Sequence, residues 1–396
     1  MDTYNAVRPR HERPLLFAMF FVFFMSETVH GYIALYIRSL GFSTLLLGTL
    51  LSGATLIAIF VLPFFGALLD RSGNRNRDFI VLLFIAAITA PLLTLNSNFI
   101  YLFVIFALFT ICSRVSRPLS DSIVLEHVSA TGTSFGPIRV MGCLGFSFMA
   151  LIVGRIADDN IAVIFYVFAG LAILTALIVS FLPKHNPSSG AAQTRKVSVA
   201  VLFQYRPLVV LTVFAVLYMV TKSFFIGYYG IYLVEIIGGT PSMLGMVLSF
   251  GALMEIPSTF FIDYIHRKFG VKNIVIFSVF VTGFRYLSAF WLMNPIVQVI
   301  TQVAFASVNM LFALTLTIYI NNIVRPEHRV TSLATYGAIT ALVSIIVGTF
   351  MGGALSNWFG IRPILLVCGF INIVGAIAFA VYVGRTRILE QKEAAI

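Results

Sequence analysis

Apolar runs long enough to cross a bilayer as helices, about 20 residues each, recur along the whole chain and are parted by short polar breaks. They fall at 14–37, 45–69, 79–96, 98–127, 134–157, 161–183, 207–234, 242–265, 272–292, 295–323, 330–356 and 362–384, twelve in all. The pattern predicts an all-α membrane protein of twelve transmembrane helices, with both ends on the same side. The longest polar interruption, 184–206, is rich in Ser, Pro, Gly and Ala. It reads as a flexible cytoplasmic linker between an N-terminal six-helix bundle (1–183) and a C-terminal six-helix bundle with a short cytoplasmic tail (207–396). Two matches suggest that the halves repeat. Ile152-Val153-Gly154 and Ile346-Val347-Gly348 lie 194 residues apart, and the segments 63–73 and 258–270 both end a span in a basic turn with glycine.

Composition narrows the class further. The 396 residues are 59% hydrophobic and only 10% charged, against about 25% charged in soluble domains. The net charge of +11 does not predict nucleic-acid binding, because its distribution has a topological cause. Eighteen basic residues flank the spans on the face that carries the termini, among them Arg13, Arg75, Lys184, Arg206, Lys268 and Arg385, whereas the opposite face has only Arg38, Arg155 and Arg362. That asymmetry predicts cytoplasmic termini in a multi-pass cell-membrane protein. Cys112, Cys143 and Cys368 stand at unrelated spacings, which implies neither a disulfide framework nor a metal site. The first dozen residues are polar and lead into a full-length span without a small-residue cleavage site, so no cleaved signal is expected.

Eight ionisable residues lie inside the spans: Glu27, Arg114, Arg117, Asp121, Arg139, Lys222, Glu255 and Arg285. Charges at membrane depth are costly and mark a functional site by default. Arg114, Arg117 and Asp121 share one helical face at i, i+3 and i+7. At about 1.5 Å per residue, Asp121 and Arg139 should meet at one depth across the turn near residue 130, and Glu27 should lie level with Arg117. Glu255 and Arg285 occupy consecutive spans at similar depth. Such a band implies a central polar cavity. Five cations against three anions leave an excess of +2, which an anionic substrate group would relieve; backbone carbonyls, water or tyrosines such as Tyr228 and Tyr229 are the other means of satisfying it. His30 lies one turn beyond Glu27; Gln298, Gln302 and Asn309 are polar groups of span ten; Glu126 and His127 read as solvated; Pro118 predicts a bend beside the Arg/Asp face.

At these residues a family resemblance emerges. The stretch 66–77 resembles the major facilitator loop signature through Gly66, Asp70, Arg71, Gly73, Arg75 and Arg77, which implies a loop that gates the cytoplasmic side. The segments 118–127 and 135–146 resemble the branch that holds lactose permease and the phenylpropionate permease-like transporters. The resemblance implies duplicated six-span halves working by alternating access. It implies substrate contact by Arg139, a proton-linked acid at Glu255, and Arg285 as its partner. Span ten departs from lactose permease, with no titratable group in 302–320 except Tyr319, so galactoside specificity does not carry over.

The expected function is proton-coupled uptake of a small organic solute, an organic or aromatic acid or a sugar. Arg139, Arg114, Arg117, Lys222 and Asn309 are the expected substrate contacts. Glu255, Glu27, Asp121 and Arg285 are expected to serve proton coupling, with Asp121 holding Arg139. No cofactor beyond a proton gradient, no metal and no nucleic acid are expected, and the partners are the substrate and the bilayer around a monomer. Proton-driven efflux of sugars or drugs would use the same carboxylates. A membrane sensor or enzyme would need a soluble domain or a catalytic cluster that the short loops do not supply, so the chain is not expected to be an enzyme.

Overall fold

The computed structural model describes residues 9–131, 134–183, 205–325 and 328–393, and among them every regular element is a helix. The linker expected at 184–206 lies outside the described residues from 184 to 204. In chain order the helices are α1 (Pro9–Glu27), α2 (Ile33–Ser39), α3 (Thr44–Ser72), α4 (Arg75–Leu92), α5 (Phe99–Thr131), α6 (Phe135–Asp159), α7 (Val163–Ser180) and α8 (Arg206–Ile231). Then come α9 (Pro241–Phe269), α10 (Val271–Trp291), α11 (Pro295–Ala304), α12 (Ser307–Ile323), α13 (Arg329–Val343), α14 (Gly352–Phe359) and α15 (Ile361–Glu393).

Local chemistry sets several boundaries. Gly73 turns with φ 65°, a conformation that glycine tolerates and other L residues rarely adopt. Asn74 then caps α4 by accepting from the Arg77 N–H. Asn294 caps α11 in the same way, with Pro295 in the first turn. Thr89, Thr175, Thr212 and Thr282 each return their hydroxyl to the carbonyl four residues back, which satisfies them in apolar surroundings. Large side chains such as Phe64, Ile100, Phe181, Ile226 and Trp291 point outward, as lipid-facing surface does.

Among the described residues ten helical stretches are long and apolar enough to cross a membrane, and the pair Pro241–Ser258 and Phe260–Phe269, bent by 42°, would add an eleventh. The run expected at 79–96 is not among them. Its helix α4 has 18 residues, opens on Arg75, Arg77 and Asp78, and stops at Leu92, so its apolar stretch is shorter than the hydropathy pattern suggests.

The described chain forms two compact units. One comprises Met1–Phe42, Thr49–Ala192 and Thr240–Leu253; the other comprises Ser43–Gly48, Gln193–Gly239 and Met254–Ile396. In the first, α1 packs on α6 and α7, and α4 on α5 and α7. In the second, α8 packs on the π-helical segment Ser344–Met351 and on α15, and α10 packs on α12 and α15. The same pairings thus recur within each unit.

Matched tyrosines register this repeat. Tyr32 donates to the Ala150 carbonyl at 3.0 Å, and Tyr228 donates to the Thr349 carbonyl at 2.8 Å. A Cβ on Gly154 would lie 3.0 Å from the Tyr32 hydroxyl and 3.1 Å from the Pro241 carbonyl; one on Gly353 would strike the Tyr228 hydroxyl and lie 2.7 Å from the Thr44 carbonyl. Gly154 therefore corresponds to Gly353, 199 residues on. The register of 194 suggested by the Ile-Val-Gly match is corrected: Gly154 packs beside the Tyr32 hydroxyl, whereas Gly348 packs on the Val220 carbonyl.

Candidate functional site

In the first unit α1 ends at Glu27, and a 3-10 turn, Thr28–Gly31, follows. With three residues per turn, positions i and i+3 eclipse, so His30 stands over Glu27. One carboxylate oxygen of Glu27 lies 3.7 Å from His30 Nε2, and the other lies 3.7 Å from an Arg117 terminal nitrogen. Glu27 is 8% exposed and Arg117 57%, so the acid is enclosed while its cation reaches outward. The Arg117 guanidinium rests 5.3 Å from the Phe24 ring, and the His30 ring packs 5.3 Å from Phe109. Arg114 adds a second cation within electrostatic reach of Glu27. Pro118 lacks an N–H, which leaves the Arg114 carbonyl without its intrahelical donor.

Asp121 and Arg139 face each other electrostatically. Among the described residues no ion pair within 4.0 Å joins them, and one Asp121 oxygen has no hydrogen-bond partner. Here Asp121 does not hold Arg139. Depth brings the two level without setting their azimuth, and Arg139 is exposed.

In the second unit Arg285 is 8% exposed and donates its Nε–H to Gln302. Gln302 donates on to Gln298 at 3.3 Å, and Gln298 closes the chain on the Leu292 and Ser288 carbonyls at 2.6 and 2.9 Å. The guanidinium lies 4.7 Å from the Phe225 ring, which stacks between Tyr229 at 4.4 Å and Tyr286 at 4.9 Å. Arg285 was expected to partner Glu255. Its guanidinium donates instead to Gln302 and lies against the Phe225 ring, while Glu255 lies within electrostatic reach of Lys222. Asn309 follows the break between α11 and α12 and accepts from the Tyr218 hydroxyl at 2.7 Å.

The loop residues divide. Arg75 reaches α5, where it donates to Ser122 at 2.6 Å and pairs with Glu126. Arg77 is exposed, and Gly66 has no neighbour within 4 Å of a Cβ position. The side chains of Asp70 and Arg71 lie outside the described residues. Glu126 is thus an ion-pair partner rather than a solvated end residue, and His127 is 1% exposed with Nδ1 2.8 Å from the Ile123 carbonyl. Sequence reasoning also gave no role to Asp158, which accepts from the Ser242 N–H at 2.9 Å and from its hydroxyl. The one signal for Glu126 was its position near the end of a span that faces a basic loop.

Comparison with known proteins agrees with this architecture. The profile of the MFS_1 like family matches residues 14–367. The maltose permease of Geobacillus stearothermophilus is 26% identical over 383 residues, covering 95% of this chain and 96% of that protein. The uncharacterized transporter YwbF of Bacillus subtilis (strain 168) is 26% identical over 339 residues, covering 83% and 82%. The crystal structure of the nucleoside transporter NupG shares the fold, with a TM-score of 0.82 at 15% identity over 93% of this chain and 98% of that one.

Proposed function

We propose, from the premise that the chain belongs to the MFS_1 like family and is a multi-pass membrane transporter rather than an enzyme, that it takes up a small organic solute together with protons. The solute is an organic or aromatic acid or a sugar, and transport proceeds by alternating access. In this reading twelve spans form two six-helix bundles in the cell membrane, a monomer with cytoplasmic termini. The likeness to a maltose permease supports a sugar; the embedded cations support an acid.

The observation that carries proton coupling is the two-sided contact of Glu27. Neither 3.7 Å contact is a hydrogen bond by length, so neither fixes the carboxylate to its neighbour. Arg117 is the exposed member. A substrate that engages Arg117 draws it from Glu27, and a carboxylate that loses its cation in enclosed surroundings favours the protonated form. Proton and substrate binding then reinforce each other, which is the linkage a symporter needs. Glu255, coupled to Lys222, offers a second exchange of the same kind. Arg114 and Arg139 orient the solute, and Asp121 serves as the counter-charge they share with Arg117.

Uptake into vesicles tests the reading, with acids, sugars and nucleosides assayed with and without an inward proton gradient. Gradient-stimulated accumulation of one solute class is expected. Accumulation of every transported solute at the same level without the gradient overturns symport.

A further inference from the structure

Helix α8 sets Tyr218, Lys222, Phe225 and Tyr229 at i, i+4, i+7 and i+11, a single helical face. Arg285 of α10 lies over Phe225 on that face, within electrostatic reach of Lys222 and Tyr229. The donors gathered there are undersubscribed. Arg285 commits one N–H to Gln302; among the described residues its two terminal nitrogens meet no acceptor and no carboxylate pairs with it. The Lys222 ammonium makes no hydrogen bond or ion pair among the described residues. Among the described residues the Tyr229 hydroxyl has no hydrogen-bond partner, although the residue is 3% exposed. Asn309 uses its carbonyl oxygen on Tyr218 and keeps its Nδ2 donor. Among the described residues one carboxylate, Glu255, stands against the two cations, so the ionised cluster carries one surplus positive charge. A buried cation without an anion is costly, and donors without acceptors are what an anion site requires.

The surplus of one favours a monoanion, and a guanidinium with two open nitrogens matches a carboxylate in forked geometry. The ring stack of Tyr229, Phe225 and Tyr286 supplies an apolar wall beside it. We propose that Lys222, Arg285, Tyr229 and Asn309 bind the carboxylate of a small organic acid, whose apolar body lies along the Phe225 stack. The proposal rests on the reading of the chain as a small-solute transporter and adds the substrate class and the anchor.

The test is thermal melting of the full chain in detergent at fixed pH with acetate, benzoate and 3-phenylpropanoate, each against its amide. At least one acid should raise the melting temperature more than its amide does. Lys222→Gln should weaken that acid by about tenfold or more, as loss of a hydrogen bond to a charged group does. Gln302→Glu retains both cations and sets a carboxylate against Arg285, and it should weaken the acid similarly. Lys222→Arg should retain it, and melting without ligand identifies a variant that fails to fold. Equal stabilisation by acids and amides, no stabilisation by any acid, or an undiminished effect in both Lys222→Gln and Gln302→Glu overturns the site. Gradient-driven uptake of a neutral sugar with no acid effect removes the anion site and leaves the transporter reading. Acid binding without driven uptake of any solute does the reverse.

Discussion

Replacing Gln302 by Leu isolates the interaction that keeps Arg285 buried. Gln302 and Gln298 are both 0% exposed, and Gln302 is the acceptor of the Arg285 Nε–H. The substitution removes a hydrogen bond to a charged group, about 1.5–3 kcal/mol, and strands the Gln298 carbonyl oxygen, about 1 kcal/mol more. The leucine recovers part of this through apolar burial, so a net loss of about 1.5–3 kcal/mol is expected. For a cooperative unit of about 200 residues this lowers the melting temperature by about 5–10 °C, readable by fluorescence melting in detergent. The double variant Arg285→Met with Gln302→Leu should regain most of the loss, because replacing both partners by apolar groups is close to neutral. A single Gln302→Leu variant that melts with the wild type refutes the reasoning, and so does a double variant less stable than the single one.

Glu27→Gln should abolish gradient-driven uptake while sparing solute exchange, measured by counterflow; driven uptake at the wild-type rate removes Glu27 from the coupling. A double-mutant cycle on Arg75→Gln and Glu126→Gln should give a coupling of about 0.5–1 kcal/mol, since the pair is partly exposed, and a coupling of zero would show that the contact is not energetic. Tyr32→Phe and Tyr228→Phe should each cost about 1 kcal/mol and add when combined, because their hydroxyls bond different carbonyls; a double variant no worse than either single would show that they act as one. Gly145→Ala drives a Cβ into the Phe21 carbonyl oxygen and should destabilise by about 1–3 kcal/mol, visible as a lower melting temperature that Gly170→Ala, with nothing within 4 Å, does not share.

Much of the fold was legible because membrane spans announce themselves by length and hydropathy. The breaks within them were not. The 3-10 turn at Thr28–Gly31 and the π-helical segments Tyr232–Ile236 and Ser344–Met351 fall inside runs that read as single spans, where hydropathy does not mark a change of helix type. Yet the first break is what stacks His30 on Glu27. The repeat was legible in layout but misregistered in detail. Ile-Val-Gly is a common triplet in apolar sequence, whereas the residues that fix the register, Tyr32 with Gly154 and Tyr228 with Gly353, are distant in sequence within each half.

The embedded charges show what depth does and does not determine. Rise per residue gives a level along the bundle, and where the levels of Glu27 and Arg117 coincide the structure has an ion pair. Asp121 and Arg139 are just as well matched in depth, but they only face each other, because rotation about each helix axis decides contact and no count along the chain supplies it. Arg285 fails for a third reason. Its depth suits Glu255, but Gln302 and the Phe225 ring hold its guanidinium, and a fully buried polar chain such as Gln302–Gln298 is rigid because each member is held by the next. An arginine held in this way cannot swing between carboxylates during a transport cycle, whereas Lys222, with its flexible stem and no fixed acceptor, can. In the proposed cycle, then, the charge exchange of the second unit falls to Lys222 and Glu255, with Arg285 the stationary cation beside them.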